Sequence, residues 1–139
     1  MNLSTPPRPE RAVPRRGKQR ISGKKKLRMI EITENVIDQI ALAIASEINP
    51  VKAFLFGSYA RGNATLDSDI DILIVEDKPF THDNSRRNEI LRIRRALSFI
   101  KHPKDVLLYS SDEIDKWKNS KNHVVAQCLS EGKVIYERH

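Results

Sequence analysis

The chain has 139 residues, of which 39% are apolar, and this length and composition suit one soluble globular domain. It has no apolar stretch long enough to span a membrane and no apolar N-terminal segment of the secretory type, so we expect a cytoplasmic protein without membrane contact. The single cysteine, Cys128, cannot form an internal disulfide and is expected to be a small buried residue.

The net charge of +7 is unevenly distributed along the chain. Residues 1–28 hold ten Lys or Arg and one Glu, a net charge of +9, whereas residues 29–139 hold 15 basic and 17 acidic side chains. The first segment is also rich in proline and poor in apolar side chains, which predicts a disordered basic tail. Such a tail could bind nucleic acid or another acidic partner, or be a solvated extension without a role. Residues 29–139 form the predicted folded domain.

The predicted domain begins with a helix, a strand and a tight turn. Thr33 is a suitable helix cap, and isoleucines recur at helical spacing until Pro50 ends the pattern. Residues 51–56 are apolar and predict a buried strand that delivers Gly57 at its end. A short helix is expected to follow over residues 58–61.

The later elements continue the alternation of strands and helices. An apolar, β-branched run predicts a second strand, and an aspartate opens a third. The remaining patterns indicate an arginine-rich amphipathic helix, a capping box that opens another helix, a final helix and an edge strand. The second and third strands are predicted over residues 70–75 and 105–109, and the edge strand over residues 134–136. The arginine-rich helix is predicted over residues 84–100, the helix with the capping box over residues 110–117, and the final helix over residues 122–132. The order of elements indicates an α/β (α+β) fold with a small mixed sheet of three to five strands flanked by helices.

Three aspartates lie at the starts of the second and third predicted strands. Asp69 and Asp71 are two residues apart, so strand alternation sends both to the same face. Paired carboxylates repel each other unless a cation or a proton lies between them, and ionised carboxylates are natural Mg²⁺ ligands. If the strand that begins at Asp105 lies beside them, three carboxylates face one cavity, as in two-metal sites.

The Gly57-Ser58 turn is the predicted phosphate site opposite these aspartates. A glycine lets the backbone approach a phosphate closely, and a serine hydroxyl and nearby backbone N–H groups can donate to its oxygens. Arg61 could add a charge-assisted hydrogen bond. A carboxylate triad beside a phosphate site predicts that the site binds a nucleoside triphosphate together with magnesium.

The chain matches the GSx10DxD signature, because ten residues separate Gly57-Ser58 from Asp69-Ile70-Asp71. On these residues the chain resembles the minimal nucleotidyltransferases (MNT) of the DNA polymerase beta superfamily. The resemblance covers residues 30–137 and includes the third-strand Asp-Val-Leu and the terminal Glu-Gly-Lys-Val-Ile-Tyr-Glu.

The resemblance implies the nucleotidyltransferase fold and transfer of a nucleoside monophosphate from an NTP to a hydroxyl. It also implies two Mg²⁺ ions, with Asp105 helping to activate the acceptor. The implied metal ligands are Asp69, Asp71 and Asp105, and the implied triphosphate-binding residues are Gly57, Ser58 and Arg61.

Small members of this group resemble the antitoxin of HEPN/MNT toxin-antitoxin pairs. The resemblance therefore implies a HEPN-type ribonuclease toxin as partner, ATP as substrate and AMP placed on a tyrosine of that toxin. Two alternatives stay open: a catalytically silent antitoxin that acts by complex formation, and nucleotide addition to RNA or a small molecule.

Other metal sites fit the sequence less well. An EF-hand that starts at Asp67 would need glycine where Ile72 stands. The histidines are too scattered for a zinc motif, and we expect solvated or capping roles for them. They are His82, His102, His123 and His139.

Overall fold

The described part of the chain, residues 31–139 of a computed structural model, contains five helices and four strands. The predicted basic tail, residues 1–28, lies outside the described residues. In residues 31–139 no helix is long and apolar enough to cross a membrane. The elements are α1 Glu34–Ile48, β1 Lys52–Phe56, α2 Ser58–Arg61, β2 Ile70–Glu76, α3 Arg86–Ala96, β3 Lys104–Ser110, α4 Ser111–Trp117, α5 Val124–Glu131 and β4 Lys133–Glu137.

The strands form one mixed sheet in the order β3-β2-β1-β4. β1 pairs antiparallel with β2 and with β4, whereas β2 pairs parallel with β3. The parallel pair is connected through α3, as a parallel connection requires a crossover. The predicted α/β (α+β) class and a mixed sheet of three to five strands are confirmed.

Helix α1 forms where the sequence predicts it. The Thr33 side chain accepts a hydrogen bond from the backbone N–H of Val36 at 3.3 Å, which caps the first turn. Ile40 and Ile44 are fully buried one turn apart, so this face packs on the sheet. The helix ends at Asn49, whose φ of 43° lies in the left-handed region before Pro50.

The sheet has two differently covered faces. We call the face under α1 and α3 the closed face; its β2 side chains are Ile70, Ile72 and Ile74, all fully buried. We call the opposite face, partly covered by α4 and α5, the open face, and Leu73 packs there with Cys128. Burial raises the pKa of the Cys128 thiol to about 12, so its predicted role as a buried apolar residue is confirmed.

Two helix boundaries differ from the prediction. α3 covers Arg86–Ala96 rather than residues 84–100, because Leu97 leaves helical geometry with a ψ of 7°. Leu97 and Ile100 still point into the core from the turn that follows, which explains why their periodicity looked helical. α5 begins at Val124 rather than at residue 122, whereas its C-cap is Gly132, as predicted, in an extended conformation with a φ of −75°.

Candidate active site

The Gly57 turn and the Asp71 carboxylate are in direct contact across two strands. The β1–β2 ladder pairs Phe56 with Asp71, which brings the next residue, Gly57, to the same end of the sheet. A Cβ at Gly57 would overlap Oδ2 of Asp71 and lie 3.2 Å from its Cγ. Gly57 also has a φ of 72°, which disfavours other residues. The glycine of the motif therefore makes room for the second aspartate of the same motif.

Asp105 lies next to Asp71 on the neighbouring strand. The parallel β2–β3 ladder pairs these two residues, so both side chains leave the sheet in the same row. Asp69 lies just before β2 and is exposed, as is Asp105, whereas Asp71 is partly buried. The pKa of Asp71 is raised by burial first and then by the charges of Asp105 and Asp69, while Arg61 lowers it. All four charged groups thus share one end of the open face.

The carboxylates fit a hydrated Mg²⁺ ion rather than a closed protein cage. Across residues 31–139 no group of three His, Cys, Asp or Glu side chains is arranged to hold a metal ion by itself. Mg²⁺ does not need such a cage, because it keeps several waters and commonly binds one or two carboxylates together with substrate phosphates. A cation would also relieve the repulsion that raises the pKa of Asp71. The assignment of these aspartates as metal ligands stays a prediction.

Ser58 and Arg61 are the first and last residues of the single-turn helix α2. The Gly57 carbonyl accepts hydrogen bonds from the backbone N–H groups of Ala60 and Arg61 at 3.1 and 3.0 Å, which fixes the turn. Nη1 of Arg61 lies 3.6 Å from Oε1 of Glu131, and both side chains are about half exposed. Such a half-exposed pair contributes little to stability, and the role of Arg61 in nucleotide binding stays a prediction.

His102 was predicted to be solvated or capping, and the structure shows that this is wrong. Its side chain is 2% exposed, and Nε2 lies 2.6 Å from the carbonyl oxygen of Ser68 and 3.3 Å from the Tyr59 hydroxyl. The sequence offers no signal for this burial, because Ser68 and Tyr59 precede His102 by 34 and 43 residues. For His123 the prediction is confirmed, since Nδ1 accepts from the N–H of Val125 and caps α5.

Glu89 is a second buried polar residue that the sequence did not reveal. It lies on α3, one turn before Ile93, and its side chain is 4% exposed. Burial raises its pKa, and the Arg92 charge opposes this only partly. Among the described residues Oε1 has no hydrogen-bond partner. Glu89 belongs to the helix over the closed face and takes no part in the site.

Fold and site together define an α/β domain with three carboxylates beside a Gly-Ser turn at one end of a mixed sheet. The family model described as "Polymerase beta, Nucleotidyltransferase" matches residues 38–139, and the chain belongs to this family. The resemblance inferred from the GSx10DxD signature is therefore confirmed, together with the nucleotidyltransferase fold.

One curated relative is "Putative protein adenylyltransferase MJ0604" of Methanocaldococcus jannaschii, which is 64% identical over 31 residues. That match covers 22% of this chain and 31% of the relative, so it spans about a third of the relative's length.

Two solved structures are similar in fold to this chain. One is a crystal structure of a toxin-antitoxin with AMP-PNP, with a TM-score of 0.47, 20% identity and coverage of 73% of this chain and 74% of that chain. The other is a crystal structure of a "putative nucleotidyltransferase from Sulfolobus solfataricus", with a TM-score of 0.46, 22% identity and coverage of 88% and 92%.

Proposed function

We propose that this chain transfers AMP from ATP to a hydroxyl group, the acceptor being a tyrosine of a HEPN-type ribonuclease toxin that the chain neutralises as an antitoxin. The observation that carries the transfer is the row in which Gly57 contacts Asp71 and Asp71 pairs with Asp105. Membership of the nucleotidyltransferase family supports the reaction class. The short match to a relative named as an adenylyltransferase supports AMP. The toxin and its tyrosine follow from the resemblance of small family members to MNT antitoxins.

Asp105 would act on the acceptor hydroxyl in this reaction. The acceptor oxygen attacks the α-phosphorus of ATP, a new P–O bond forms, and the bond to the bridging oxygen breaks, so pyrophosphate leaves with the electron pair. The acceptor proton must be removed, and Asp105 is an exposed carboxylate in the row of Asp71 that can take part in this. Its exposure leaves room for a protein side chain to approach.

The ATP side of the reaction falls to the remaining site residues. Asp69 and Asp71 would hold Mg²⁺, which when bound neutralises phosphate charge and favours the ionised acceptor. The turn at Gly57 and Ser58 would bind the triphosphate through backbone N–H groups and the serine hydroxyl. Arg61, which can leave its exposed contact with Glu131, would add positive charge. Transfer of this kind depends on positioning and charge neutralisation rather than on a covalent enzyme intermediate.

The test is a transfer assay with purified chain, ATP, Mg²⁺ and a HEPN-type protein encoded beside it. We expect the mass of that protein to rise by whole AMP units, with the modified residue identified as tyrosine by peptide mass spectrometry. The double variant Asp69→Asn, Asp71→Asn should reduce the rate by at least about 10²- to 10³-fold, because it removes the charges expected to hold the metal. Asp67→Asn is the matched control, since Asp67 is an exposed aspartate of the same loop outside the DxD pair; it should keep the wild-type rate.

Other outcomes identify the alternatives. A tight complex that silences the toxin without any mass change would favour the catalytically silent antitoxin. AMP found on RNA or a small molecule instead would assign a different acceptor. The basic segment, residues 1–28 with a net charge of +9, is the feature that favours RNA. In that case RNA binding should fall steeply with salt and be lost when these residues are deleted.

A further inference from the structure

His102 and Pro103 hold the backbone on both sides of Asp69. Nε2 of His102 lies 2.6 Å from the Ser68 carbonyl oxygen, and the Pro103 carbonyl accepts the backbone N–H of Ile70 at 3.0 Å. Ser68 and Ile70 are the two neighbours of Asp69. Asp69 itself lies just before the first residue of β2. Within the described residues, these two hydrogen bonds connect the peptides on either side of Asp69 to the segment before β3.

The same imidazole also contacts the phosphate side of the site. Nε2 lies 3.3 Å from the hydroxyl of Tyr59, and the two rings meet edge to face with centroids 6.0 Å apart. Tyr59 follows Ser58 directly in α2, and its hydroxyl also lies 3.4 Å from the Thr65 carbonyl. One buried ring therefore joins the helix after the Gly57 turn to the loop that leads into Asp69.

The His102 ring is buried, and its backbone is held by Lys104. Its side chain is 2% exposed, and its own carbonyl accepts a hydrogen bond from Nζ of Lys104 at 3.0 Å. Nζ of Lys104 also donates to the Ile100 carbonyl at 2.6 Å, which closes the turn before β3. A carbonyl oxygen only accepts, so the contact with Ser68 requires a hydrogen on Nε2. A ring fixed by burial and carrying this hydrogen is suited to orient a backbone segment.

We propose that His102 is a positioning residue, which sets the place of the Asp69 carboxylate relative to Asp71 and to the Gly57-Ser58 turn. The inference rests on the proposed function, because it concerns the same metal and nucleotide site. Asp71 and Asp105 are fixed by strand register, whereas Asp69 lies outside the strand and needs another support. A shift of about 1 Å in such a group is enough to weaken binding and transfer.

The test uses Mn²⁺ as a spectroscopic substitute for Mg²⁺ and a fluorescent ATP analogue, both at a temperature where every variant is folded by circular dichroism. His102→Met removes the N–H donor and fills the space with an apolar side chain. We expect the affinity for Mn²⁺ to fall by about 10-fold, which is the lower end of the loss in metal affinity seen when a group that supports a metal ligand is removed. The affinity for the ATP analogue should fall as well. His102→Gln keeps an N–H donor and should restore most of the affinity.

Two further variants separate positioning from general stability. His123→Met is the matched control, since it removes a partly buried histidine whose bond only caps α5; it should lower the melting temperature and leave Mn²⁺ affinity unchanged. Tyr59→Phe removes one hydroxyl and keeps the ring. It should weaken Mn²⁺ binding less than His102→Met does, and it provides the test if His102→Met does not fold.

The possible failures are distinct. If the wild-type chain binds neither Mn²⁺ nor the ATP analogue, the proposed function is wrong and this inference falls with it. If the wild type binds both and folded His102→Met, or Tyr59→Phe in its place, binds them equally well, His102 has no positioning role while the proposed function stands. A lower melting temperature with unchanged affinity also contradicts the inference.

Discussion

The closed and open faces of the sheet use the same strands for different purposes. On the closed face, three isoleucines of β2 and two apolar residues of β3, Val106 and Leu108, are fully or almost fully buried under α1 and α3. On the open face the apolar residues occupy only part of each strand, and the first positions of that face are Asp71 and Asp105. The short helices α4 and α5 supply the apolar partners there. Both faces thus have a buried apolar core, but only the open face leaves one end of the strands free for charge.

The largest effect is expected from substitutions of two neighbouring leucines of β3, one on each face of the sheet. Leu108 is 2% exposed on the closed face, whereas Leu107 is only partly buried on the open face. Leu108→Ala should lower the free energy of unfolding by about 3 kcal/mol, within the range for buried leucines, and Leu107→Ala by clearly less. Urea denaturation of both variants measures this. Equal losses would contradict the difference in burial between the closed face and the open face.

The second effect concerns the glycine at the charged end of the open face. Gly57→Ala combines an unfavourable φ of 72° with an overlap between the new methyl group and Asp71 Oδ2. We expect a loss of about 1–3 kcal/mol in stability together with weaker Mn²⁺ binding. Gly62→Ala is a matched control, because Gly62 has a similar φ of 82° but no atom within 4 Å of an added Cβ. If both variants bind Mn²⁺ equally well, contact with Asp71 is not what requires glycine at position 57.

The third effect is a pH dependence from Glu89, the carboxylate buried on the helix over the closed face. Its pKa is raised by burial above the model-compound value of 4.5, so its charged form is disfavoured in the folded state. Wild-type stability from this group is therefore present below pH 4.5 and lost as pH rises through the higher folded pKa. Glu89→Gln should be more stable than wild type at neutral pH, because it removes a buried charge that Arg92 offsets only partly.

The control for the Glu89 experiment is Asp38→Asn, which removes an exposed carboxylate of α1. Thermal unfolding between pH 4 and pH 7 should show that the advantage of Glu89→Gln shrinks as pH falls, whereas the control shows no such trend. An advantage that is constant with pH would mean that the effect does not come from the charge of Glu89.

The smallest effect on stability is expected at Arg61. Its ion pair with Glu131 is about half exposed, so Arg61→Ala and Glu131→Gln should each change stability by less than about 0.5 kcal/mol. Binding of the ATP analogue should differ: about 10-fold weaker for Arg61→Ala, through loss of a charged hydrogen bond, and unchanged for Glu131→Gln. Equal loss in both variants would mean that the ion pair, and not a free Arg61, supports the nucleotide.

Local patterns in the sequence were enough to predict most of the elements. The Thr33 cap, the isoleucine spacing of α1 and the Ser110 capping box depend on residues within a few positions, and each is present. The Gly57-Ser58 and Asp69-x-Asp71 pairs were likewise visible, because their spacing is short.

The residues that were missed depend on contacts distant in sequence. The burial of His102 follows from Ser68 and Tyr59, and that of Glu89 from the packing of α3 on the sheet. The end of α3 was placed too late because Leu97 continues the apolar pattern after the backbone has left the helix. The strand register that pairs Asp71 with Asp105 could be stated only as a condition, since the sequence does not specify which strands are neighbours.

The contact between Gly57 and Asp71 has a consequence for the length of the loop between them. Strand register, not the loop, fixes these two residues, so added residues in the mostly exposed stretch 62–67 would leave their contact in place. Asp69 lies outside the ladder, but its two neighbours are held by His102 and Pro103 rather than by the loop. Insertions between residues 62 and 67 should therefore be tolerated by the fold, and Mn²⁺ affinity measured on the same variants would show whether these two contacts alone keep Asp69 in place.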